Sequence, residues 1–454
     1  MELKSVLSKI KPSKSEYRKM EAFTEKLVRT AAGLSKEAKP MICGSVAKDT
    51  WLSEKNETDL FLLFEPSLSK KELEIRGMSL AKMIVNKMKG KYQVAYAEHP
   101  YLRSKVGKYE VDVVPCYDIE NPERIQSSVD RTPHHVKFVK ARLKNPDDVR
   151  LLKQFCIANR CYGADVKTLG FSGYICELLI IKYGSFMKLA KEASKWRACK
   201  VITFENLNKE EACKKFKNPL IVVDPVDRNR NVGAAVSVEK FYTFVDACKK
   251  FVSNPKKEFF FPPKVKPYPM ARISNEIRKR GTMWYMISFA RPNVIDDVLY
   301  PQMKRCCKAI EKLLTQNGFQ VLRCDFYCNK KSSLVYEMET WQIPKITKNM
   351  GPDVYSRHAE EFLKHYKKKE VFIENDKWVV EVERKFTDVL DYLKNLLKMS
   401  EKEILERGIP SKIAPKIRKA KISCDKGFLK EARSMPEDFR VFLREWFEKD
   451  LDVV

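Results

Sequence analysis

The sequence predicts a multidomain α+β fold: a mixed sheet with helices, then a mostly helical region, then an α/β region. Three observations support this fold class. Strand patterns lie among helical patterns in the first third of the chain, and two of them carry acidic residues. Helical periodicity then dominates up to residues 254–269, which are rich in Lys and Pro. Strand and helix patterns alternate again beyond that stretch, so the 454 residues are expected to form about two to four domains.

The first predicted elements are a helix, a short strand and a Gly-Ser turn. Ser13 and Glu16 have the spacing of a capping box, and the apolar residues after them recur at helical spacing. Residues 39–43 predict a strand that ends at Gly44 and Ser45. A helix is predicted to begin at about Ser45, where its free N–H groups and positive dipole end would form a cradle for phosphate.

The same two periodicities predict the remaining elements. In chain order they are a strand at residues 60–64, an amphipathic helix at 69–87, strands near 92–97 and 109–115, a helix at 147–160, an apolar helix after 170–174, a strand and a helix start within 218–237, strands near 321–327 and 334–341, and helices near 359–367 and 439–447. The strand at 60–64 is apolar at every position, which is typical of a central strand buried on both faces.

Two strand patterns carry acidic residues two positions apart. Glu57 and Asp59 precede the buried strand, and Glu110 and Asp112 lie in a later one. Because successive side chains of a strand alternate faces, each pair points to one side. Carboxylates crowded at the mouth of a buried strand repel each other unless a cation lies between them, so these strands beside the Gly-Ser turn predict a divalent-metal site. The alternative for either strand alone is an edge strand with a solvated acidic face.

The chain has a large positive charge, since 88 Lys and Arg residues outnumber 60 Asp and Glu residues by 88 − 60 = 28. The excess favours a polyanionic partner, with nucleic acid ahead of an anionic membrane. The alternative is a lysine-rich background. No run of residues approaches membrane-spanning length, and the first residues lack the apolar segment of a secretion signal. A cytosolic protein with reduced cysteines is therefore expected.

Basic residues are mixed with aromatic residues in the last third of the chain. Such mixing suits contacts to an RNA backbone and stacking on bases. The alternative is that the same side chains cover an apolar core. The candidates for RNA binding are Arg278, Lys279, Arg280, Lys416 and Arg418.

Several motifs occur in a characteristic order. They are GSVAKDTWL, ETDLFLLF, YEVDVVPCYDI, SVDRTPHHVKFV, GFSGY, DPVDRNRNV and GIPSKI, and they extend from residue 44 to residue 413. In this order the motifs resemble those of the class I, archaeal-type CCA-adding enzymes, which are tRNA nucleotidyltransferases of the DNA polymerase β superfamily. The Gly-Ser pair with the first acidic pair is typical of the whole superfamily, whereas SVDRTPHH, GFSGY and DPVDRNRNV separate this family from poly(A) polymerases.

The resemblance implies a domain order and an activity. A polymerase β-like nucleotidyltransferase head would occupy residues 1–139, a mostly helical, nucleotide-selecting neck 140–255, and a basic α/β body and tail that bind tRNA 256–454. The implied enzyme adds or repairs the 3′-terminal CCA of tRNA from CTP and ATP, without a nucleic-acid template and with release of pyrophosphate. It would hold the acceptor and TΨC arms of tRNA in the cytoplasm, and a homodimer is common in the family.

Site residues follow from the resemblance where the motifs match. Glu57, Asp59 and Asp112 are implied as the catalytic carboxylates that hold two Mg²⁺ ions, with Asp112 on only the ion that activates the RNA. The implied nucleotide contacts are Ser45, Lys48, His135, Lys153, Tyr162 and Arg230, the last of which helps to select the base. Many relatives have Asp-x-Asp where this chain has Glu57-x-Asp59, and glutamate is known there in the archaeal group.

Two of these assignments depend on local structure. Lys153 and Tyr162 are nine residues apart, which places them on opposite sides of an unbroken helix. They can face one site only where the helix ends near Cys161, with Gly163 as its C-cap and Tyr162 turned back. For His135 the alternative is that it only caps or packs at the start of a helix.

Other functions stay open at this stage. A poly(A) polymerase-like RNA-tailing enzyme would use the same carboxylates but would make a long homopolymer. A non-catalytic tRNA-binding protein would keep the fold and the basic surface, although the intact acidic residues argue against it. A nucleotide second-messenger synthase is a further alternative, although it would not need so large a basic C-terminal half.

Overall fold

The computed structural model describes residues 2–96, 99–205 and 208–448 and divides the chain into two compact units. The first unit ends at Pro263 and the second begins at Lys264. The elements of the first unit are α1 Leu3–Ile10, α2 Lys14–Leu34, β1 Ala38–Cys43, α3 Gly44–Ala47, β2 Glu57–Phe64, α4 Lys70–Lys87, β3 Lys91–Tyr96, β4 Pro100–Val106, β5 Tyr109–Tyr117, α5 Arg131–Arg142, α6 Pro146–Ala158, α7 Gly173–Tyr183, α8 Phe186–Ala193, β6 Lys200–Ile202, α9 Lys209–Phe216, β7 Leu220–Val222 and α10 Val238–Ser253.

The first five strands form a mixed sheet in the order β1-β2-β5-β4-β3. β2 runs parallel to β5, and the other neighbours are antiparallel. Leu60 and Leu62 of β2 belong to the core beneath α2 and α4, whereas Phe61 and Leu63 belong to a second core that includes Val136 of α5. This alternation confirms a central strand buried on both faces and places the side chains that alternate with Leu60 on the α5 side of the sheet.

Two helices of the sheet layer begin at capping boxes. The Ser13 hydroxyl accepts a hydrogen bond from the Glu16 N–H at 3.2 Å, and the Glu16 carboxylate accepts one from the Ser13 N–H at 2.8 Å. Ser69 and Glu72 repeat the arrangement at α4. Each box satisfies donors that a helix start leaves free, which fixes where the helix begins. The predicted α2 and α4 are confirmed.

Two local features differ from expectation, and one predicted strand end is not described. β4 was not predicted, yet it lies between β5 and β3, and its buried and less buried residues alternate. α3 is a single turn, Gly44–Ala47. β3 ends at Tyr96, and Ala97, the last residue of the predicted strand, lies outside the described residues.

The rest of the first unit is mostly helical. α6, α7, α8 and α10 enclose a core rich in phenylalanine, in which Phe155 lies within about 6 Å of several other rings. β6 and β7 form a short parallel pair beside α9. Cys199 and Cys213 are joined by a disulfide with a Cα–Cα distance of 5.9 Å, which corrects the expectation that every cysteine is reduced. The pairing is possible because α9 packs on β6 and β7 and brings Cys213 back to the start of β6.

The second unit is built on antiparallel sheets. Its elements are α11 Met270–Arg280, β8 Met283–Ala290, α12 Asp296–Gln316, β9 Gln320–Cys328, β10 Lys331–Thr340, β11 Ile346–Asp353, α13 Ala359–His365, β12 Val371–Glu374, β13 Lys377–Glu383, α14 Val389–Lys398, α15 Glu401–Glu406, α16 Ala414–Ile417, β14 Lys421–Cys424, α17 Asp425–Ser434 and α18 Glu437–Phe447. A sheet in the order β14-β8-β10-β9 has helices on both faces, because Ile287 packs with α12 and α14 while Trp284 packs with α17 and α18. β11, β13 and β12 form a separate sheet. Within the described ranges, no helix is long and apolar enough to cross a membrane.

Candidate active site

The predicted carboxylates meet at one end of the first sheet. β2 and β5 pair in parallel, so that Glu57 lies opposite Glu110 and Asp59 opposite Asp112. Burial, together with the charge of Asp112, raises the pKa of Asp59 to about 6. Burial also raises the pKa of Asp112, although Arg103 opposes that shift. The two strands therefore crowd like charges together, as their sequences predict.

Glu57 and Asp112 each lie beside a basic side chain. Glu57 Oε1 is 3.6 Å from Lys55 Nζ, and Asp112 Oδ1 is 3.5 Å from Arg103 Nε. Among residues 2–96, 99–205 and 208–448, no three His, Cys, Asp or Glu side chains are grouped so that they could hold one metal ion. The donor set nevertheless fits a hard divalent cation, since it offers carboxylate oxygens whose mutual repulsion a cation would relieve. Coordination of one ion by all three would require their side chains to reorient.

Gly44 lies directly against Asp59. Its φ of +68° is in the left-handed region, and a Cβ atom at this position would lie 1.7 Å from Asp59 Oδ2. A glycine is therefore required on two counts, conformation and space. The following Ser45 is half-buried in α3. Because α3 has one turn, it aligns too few peptide units for a full macrodipole, and the predicted cradle is reduced to local N–H groups.

Lys48 and Lys153 converge on a carboxylate that the sequence analysis did not single out. Glu177 of α7 is fully buried and lies 2.5 Å from Lys48 Nζ and 3.8 Å from Lys153 Nζ. Lys153 also donates to the carbonyl of Thr50 at 2.9 Å, and the Thr50 hydroxyl donates to Glu177 at 2.7 Å. Burial lowers the pKa of Lys153, while Glu177 opposes that shift. Two cations are thus held side by side on one buried anion.

Tyr162 reaches the same place as Lys153. A Cβ atom on Gly173, at the start of α7, would lie 3.2 Å from the Tyr162 hydroxyl and 3.6 Å from Lys153 Nζ. The two side chains therefore flank one glycine, as the sequence analysis required. The backbone of Tyr162 forms an isolated parallel β-bridge with that of Phe171.

The helix that carries Lys153 ends earlier than predicted. α6 ends at Ala158 with Asn159 as its C-cap, and Arg160 takes the left-handed conformation at φ +55°. The prediction that Gly163 is the C-cap is therefore wrong. The earlier end supplies the same reversal of the chain, because the first left-handed residue is Arg160.

His135 and Arg230 share a second buried carboxylate, Asp224. His135 Nε2 lies 2.9 Å and Arg230 Nη1 2.7 Å from Asp224 Oδ2. Burial lowers the pKa of His135, while Asp224 opposes that shift. Nε2 is the donor in this pair, because the Asp224 carboxylate can only accept. The His135 ring stacks on that of Tyr174 at 4.0 Å, and Lys48 Nζ lies 5.6 Å from the same tyrosine ring. His135 therefore lies within α5 and packs there, and it does not cap the helix.

Sequence reasoning missed the two buried anions. Glu177 is the only acidic residue in the apolar run CELLIIKYG, and Asp224 begins DPVDRNRNV. An isolated acid in an apolar helix is a usable signal, because a buried charge needs a partner. The sequence does not show which cationic side chain pairs with the buried acid, because the partners can be far apart in the chain. Lys48 and Glu177 are 129 positions apart.

The predicted RNA contacts lie in the second unit and fall into two kinds. Arg278 and Lys279 are exposed on α11, and Arg418 is exposed just after α16, where Lys416 is half-buried. Arg280 instead donates to the fully buried Glu337 at 2.5 Å. Arg280 therefore has a structural ion pair in addition to its predicted role.

Three family models match consecutive parts of the chain. A nucleotidyltransferase domain matches residues 11–135, the second domain of tRNA nucleotidyltransferase matches 147–261, and the C-terminal domain of CCA-adding enzyme matches 280–419. Together they contain the residues of the candidate site.

Proteins described as CCA-adding enzymes are similar over most of the chain. The protein of Methanosarcina mazei is 37% identical over 97% of each chain, and that of Methanocaldococcus jannaschii is 38% identical over 91% of this chain and 93% of its own. The chain belongs to the CCA-adding enzyme family. The protein of Archaeoglobus fulgidus is 38% identical over 85% of this chain and 86% of its own. A cytoplasmic RNA terminal U-transferase of known structure covers 56% of this chain at a TM-score of 0.43 and 15% identity, too distant to bear on activity.

Membership of the CCA-adding enzymes confirms several predictions. The resemblance, the multidomain α+β fold with a nucleotidyltransferase head, and the enzyme class of tRNA nucleotidyltransferase are confirmed. Nucleotidyltransferases of this family generally use a divalent metal. The individual roles of the site residues stay predictions.

Proposed function

We propose that this CCA-adding enzyme builds or repairs the 3′-terminal CCA of tRNA from CTP and ATP without a nucleic-acid template. In each step the terminal 3′ oxygen forms a bond to the α-phosphorus of the nucleotide, the bond to pyrophosphate breaks, and the hydroxyl proton is lost. The observation that carries the proposal is the parallel register of Asp59 and Asp112, beside the Gly44 turn and two clusters of cationic side chains. Relatives described as CCA-adding enzymes support the choice of product.

Mg²⁺ is the proposed metal, and Glu57, Asp59 and Asp112 are its proposed ligands. Hard carboxylate oxygens suit Mg²⁺, and the raised pKa of Asp59 reflects a local excess of negative charge that a cation would offset. When bound, the metal activates the 3′ hydroxyl and stabilises the charge that develops on the pyrophosphate. Asp112 would orient the RNA end, while Gly44 keeps the space beside Asp59 open.

Ser45, Lys48, Lys153 and Tyr162 are proposed to position the triphosphate. The two lysines are already held near each other by Glu177, so they need little reorganisation to meet an anion. The ammonium of Lys153 and the hydroxyl of Tyr162 lie together at Gly173, where backbone can approach closely. Their donors would neutralise phosphate oxygens and hold the α-phosphorus in line with the RNA end.

His135 and Arg230 are proposed to face the ribose and the base. Arg230 has a planar fork of donors, which suits acceptors on the edge of a base. His135 donates from Nε2 to Asp224, and its other ring nitrogen, Nδ1, would meet a ribose hydroxyl. The growing RNA end would change the pocket at each step, so that C is chosen twice and A once.

The domain roles implied by the resemblance remain proposals: residues 1–139 for catalysis, 140–255 for nucleotide choice and 256–454 for binding the acceptor and TΨC arms of tRNA. Exposed Arg278, Lys279 and Arg418 support the last, since phosphate contacts position an RNA without reading its sequence. The predicted homodimer and the predicted cytoplasmic location stay predictions.

The test is to incubate the protein and Mg²⁺ with tRNA that lacks its 3′ CCA and with CTP, ATP or both, and then to sequence the product ends. Products that stop at CCA with both nucleotides, and at CC with CTP alone, are expected. A long homopolymer would instead indicate an RNA-tailing enzyme. Unaltered ends would indicate a tRNA-binding protein without activity.

A further inference from the structure

Asp224 is a fully buried carboxylate close after the end of β7. Its Oδ2 accepts hydrogen bonds from His135 at 2.9 Å and from Arg230 at 2.7 Å. Its Oδ1 accepts from the Tyr174 hydroxyl at 3.2 Å and from the Val226 N–H at 3.0 Å. Burial alone would raise the pKa of Asp224, but the hydrogen bonds from His135, the Val226 N–H and Arg230 lower it to about 2, so the group is an anion at any working pH.

Arg230 takes its orientation from this carboxylate. One guanidinium nitrogen lies on Asp224, yet the side chain is 39% exposed, so part of its donor fork can reach a ligand. The backbone also links the two residues, because the Asp224 N–H donates to the Arg230 carbonyl at 3.1 Å. Side chain and main chain together restrict the directions in which Arg230 can point.

Asp224 also connects elements that are far apart in sequence. His135 lies on α5 and Tyr174 on α7, and their rings stack at 4.0 Å. Lys48, a proposed triphosphate contact, lies 5.6 Å from the Tyr174 ring. Asp224 thus binds both Arg230, the proposed base contact, and Tyr174, which lies beside the proposed phosphate contact Lys48.

We propose that Asp224 is the positioning residue for nucleotide choice: it holds Arg230 and His135 in the one arrangement in which Arg230 can read the incoming base. This inference rests on the proposed role of Arg230. It differs from a purely structural role in that loss of Asp224 should change which nucleotide is used more than how stable the protein is.

Asp224→Asn separates these roles because it keeps the shape and removes the charge. All four neighbours of Asp224 donate hydrogen bonds, whereas an asparagine amide has only one accepting atom and places N–H donors at the other. Arg230 would lose a charge-assisted hydrogen bond and gain freedom to rotate.

The experiment measures kcat/KM for CTP and for ATP on tRNA lacking CCA, with Mg²⁺ and the full-length protein. For Asp224→Asn the CTP-to-ATP ratio is expected to fall about tenfold, while kcat for CTP changes less than the ratio does. The matched control is Asp227→Asn. Asp227 lies in the same loop and pairs with Arg131 of α5 at 2.9 Å, but its carboxylate pairs neither with Arg230 nor with His135. Its ratio should stay within about twofold of wild type.

A double-mutant cycle with Arg230→Lys tests whether Asp224 acts through Arg230. Arg230→Lys alone should lower the ratio by a similar factor, and Asp224→Asn with Arg230→Lys should lower it no further. A ratio that Asp224→Asn leaves unchanged while Arg230→Lys lowers it would overturn the role of Asp224 and leave that of Arg230 intact. A ratio unchanged by Arg230→Lys would overturn both.

A second variant covers the case in which Asp224→Asn shows no cooperative thermal transition. Tyr174→Phe removes only the hydroxyl that donates to Asp224 Oδ1, and it leaves the stacked ring in place. A lower CTP-to-ATP ratio in this variant supports the proposal. A wild-type ratio overturns it.

Discussion

Asp59 bears an electrostatic cost that a bound cation would remove. Its pKa of about 6 exceeds the ordinary 3.8 because the carboxyl is buried and faces Asp112. In the metal-free protein, the folded state therefore binds a proton more tightly than the unfolded state between these values. Stability then falls as the pH rises from about 4 to about 6, and this contribution stays level above that.

Asp59→Asn should therefore stabilise the metal-free protein near neutral pH. In a chelating buffer at pH 7.5, its free energy of unfolding should rise by at most about 3 kcal/mol, because an amide carries no buried charge. The gain should vanish as the pH is lowered to about 4, and thermal melting at both pH values measures it.

The control for this substitution is Glu65→Gln, an exposed acid just beyond the other end of β2. It should leave the melting temperature unchanged at both pH values. Mg²⁺ should raise the melting temperature of wild type and of Glu65→Gln but not of Asp59→Asn. Equal melting of wild type and Asp59→Asn in chelator at pH 7.5 would contradict the crowding of Asp59 and Asp112.

At the scale of residues, the sequence predicted the carboxylates of the candidate site but not the buried carboxylates that contact its basic side chains. Spacing of two along a strand was enough to place Glu57 and Asp59 on one face. The contacts of Lys48 with Glu177 and of His135 with Asp224 could not be predicted, because no local pattern shows which carboxylate far away in the sequence a side chain will contact.

At the scale of elements, the turn between β1 and α3 is expected to be intolerant of any side chain. In Gly44→Ala the new methyl group would overlap Asp59 Oδ2, and the left-handed conformation adds about 1–2 kcal/mol of strain. Nucleotide addition should fall by more than about a hundredfold, because Asp59 must move; even a displacement of about 1 Å can cost that factor. Single-turnover incorporation measures this loss.

Gly107→Ala separates strain from overlap. Gly107 has a similar φ of +60°, and a Cβ atom there would meet nothing within 4 Å. This variant should lose about 1–2 kcal/mol of stability and keep wild-type incorporation rates. Equal activity losses in the two variants would show that strain alone is responsible and would contradict the close packing of Gly44 on Asp59.

Elements with a strong local signal were predicted well. The capping box at Ser13 predicted the start of α2, because the signal and the structure are the same two hydrogen bonds. The start of α4 was predicted from its amphipathic pattern, and the structure adds a second capping box there. β4 was missed because the polar Ser104 occupies a buried position between Leu102 and Val106, which weakens the apolar alternation of the strand. The end of α6 was misplaced because Arg160, not a glycine, takes the left-handed conformation.

For the whole molecule, the net charge of +28 predicts salt-sensitive binding to tRNA. The double substitution Arg278→Ala with Lys279→Ala should weaken tRNA binding and reduce the slope of log affinity against log salt by up to about 2. Its melting temperature should change little, since both side chains are exposed. Equilibrium binding at several salt concentrations measures the slope.

Arg280→Ala, the next residue along the chain, should behave differently. It removes the cationic partner of the buried Glu337 carboxylate, which would keep hydrogen bonds from the Thr282 hydroxyl and the Trp446 ring N–H. Stability should fall by roughly 2 kcal/mol, reduced from the full cost of breaking a buried pair because Arg280 is 29% exposed. A loss of tRNA affinity without loss of stability would contradict this role.

The three neighbouring basic residues could not be told apart before their contacts were known. Charge composition predicts a polyanionic partner for the molecule as a whole. It counts Arg278, Lys279 and Arg280 equally, as one positive charge each. The structure separates Arg280 from the other two. β8 pairs with β10 in the antiparallel direction and brings Glu337 beside the end of α11, where Arg280 binds it.

The most direct test of the central claim measures nucleotide incorporation and tRNA binding in parallel for wild type, Asp59→Asn and Glu65→Gln. With tRNA lacking CCA and saturating Mg²⁺, Asp59→Asn should lose at least about a thousandfold in the single-turnover rate, with tRNA affinity nearly unchanged. Glu65→Gln should match wild type in both measurements. Incorporation by Asp59→Asn at the wild-type rate would contradict the placement of nucleotidyl transfer at the paired ends of β2 and β5.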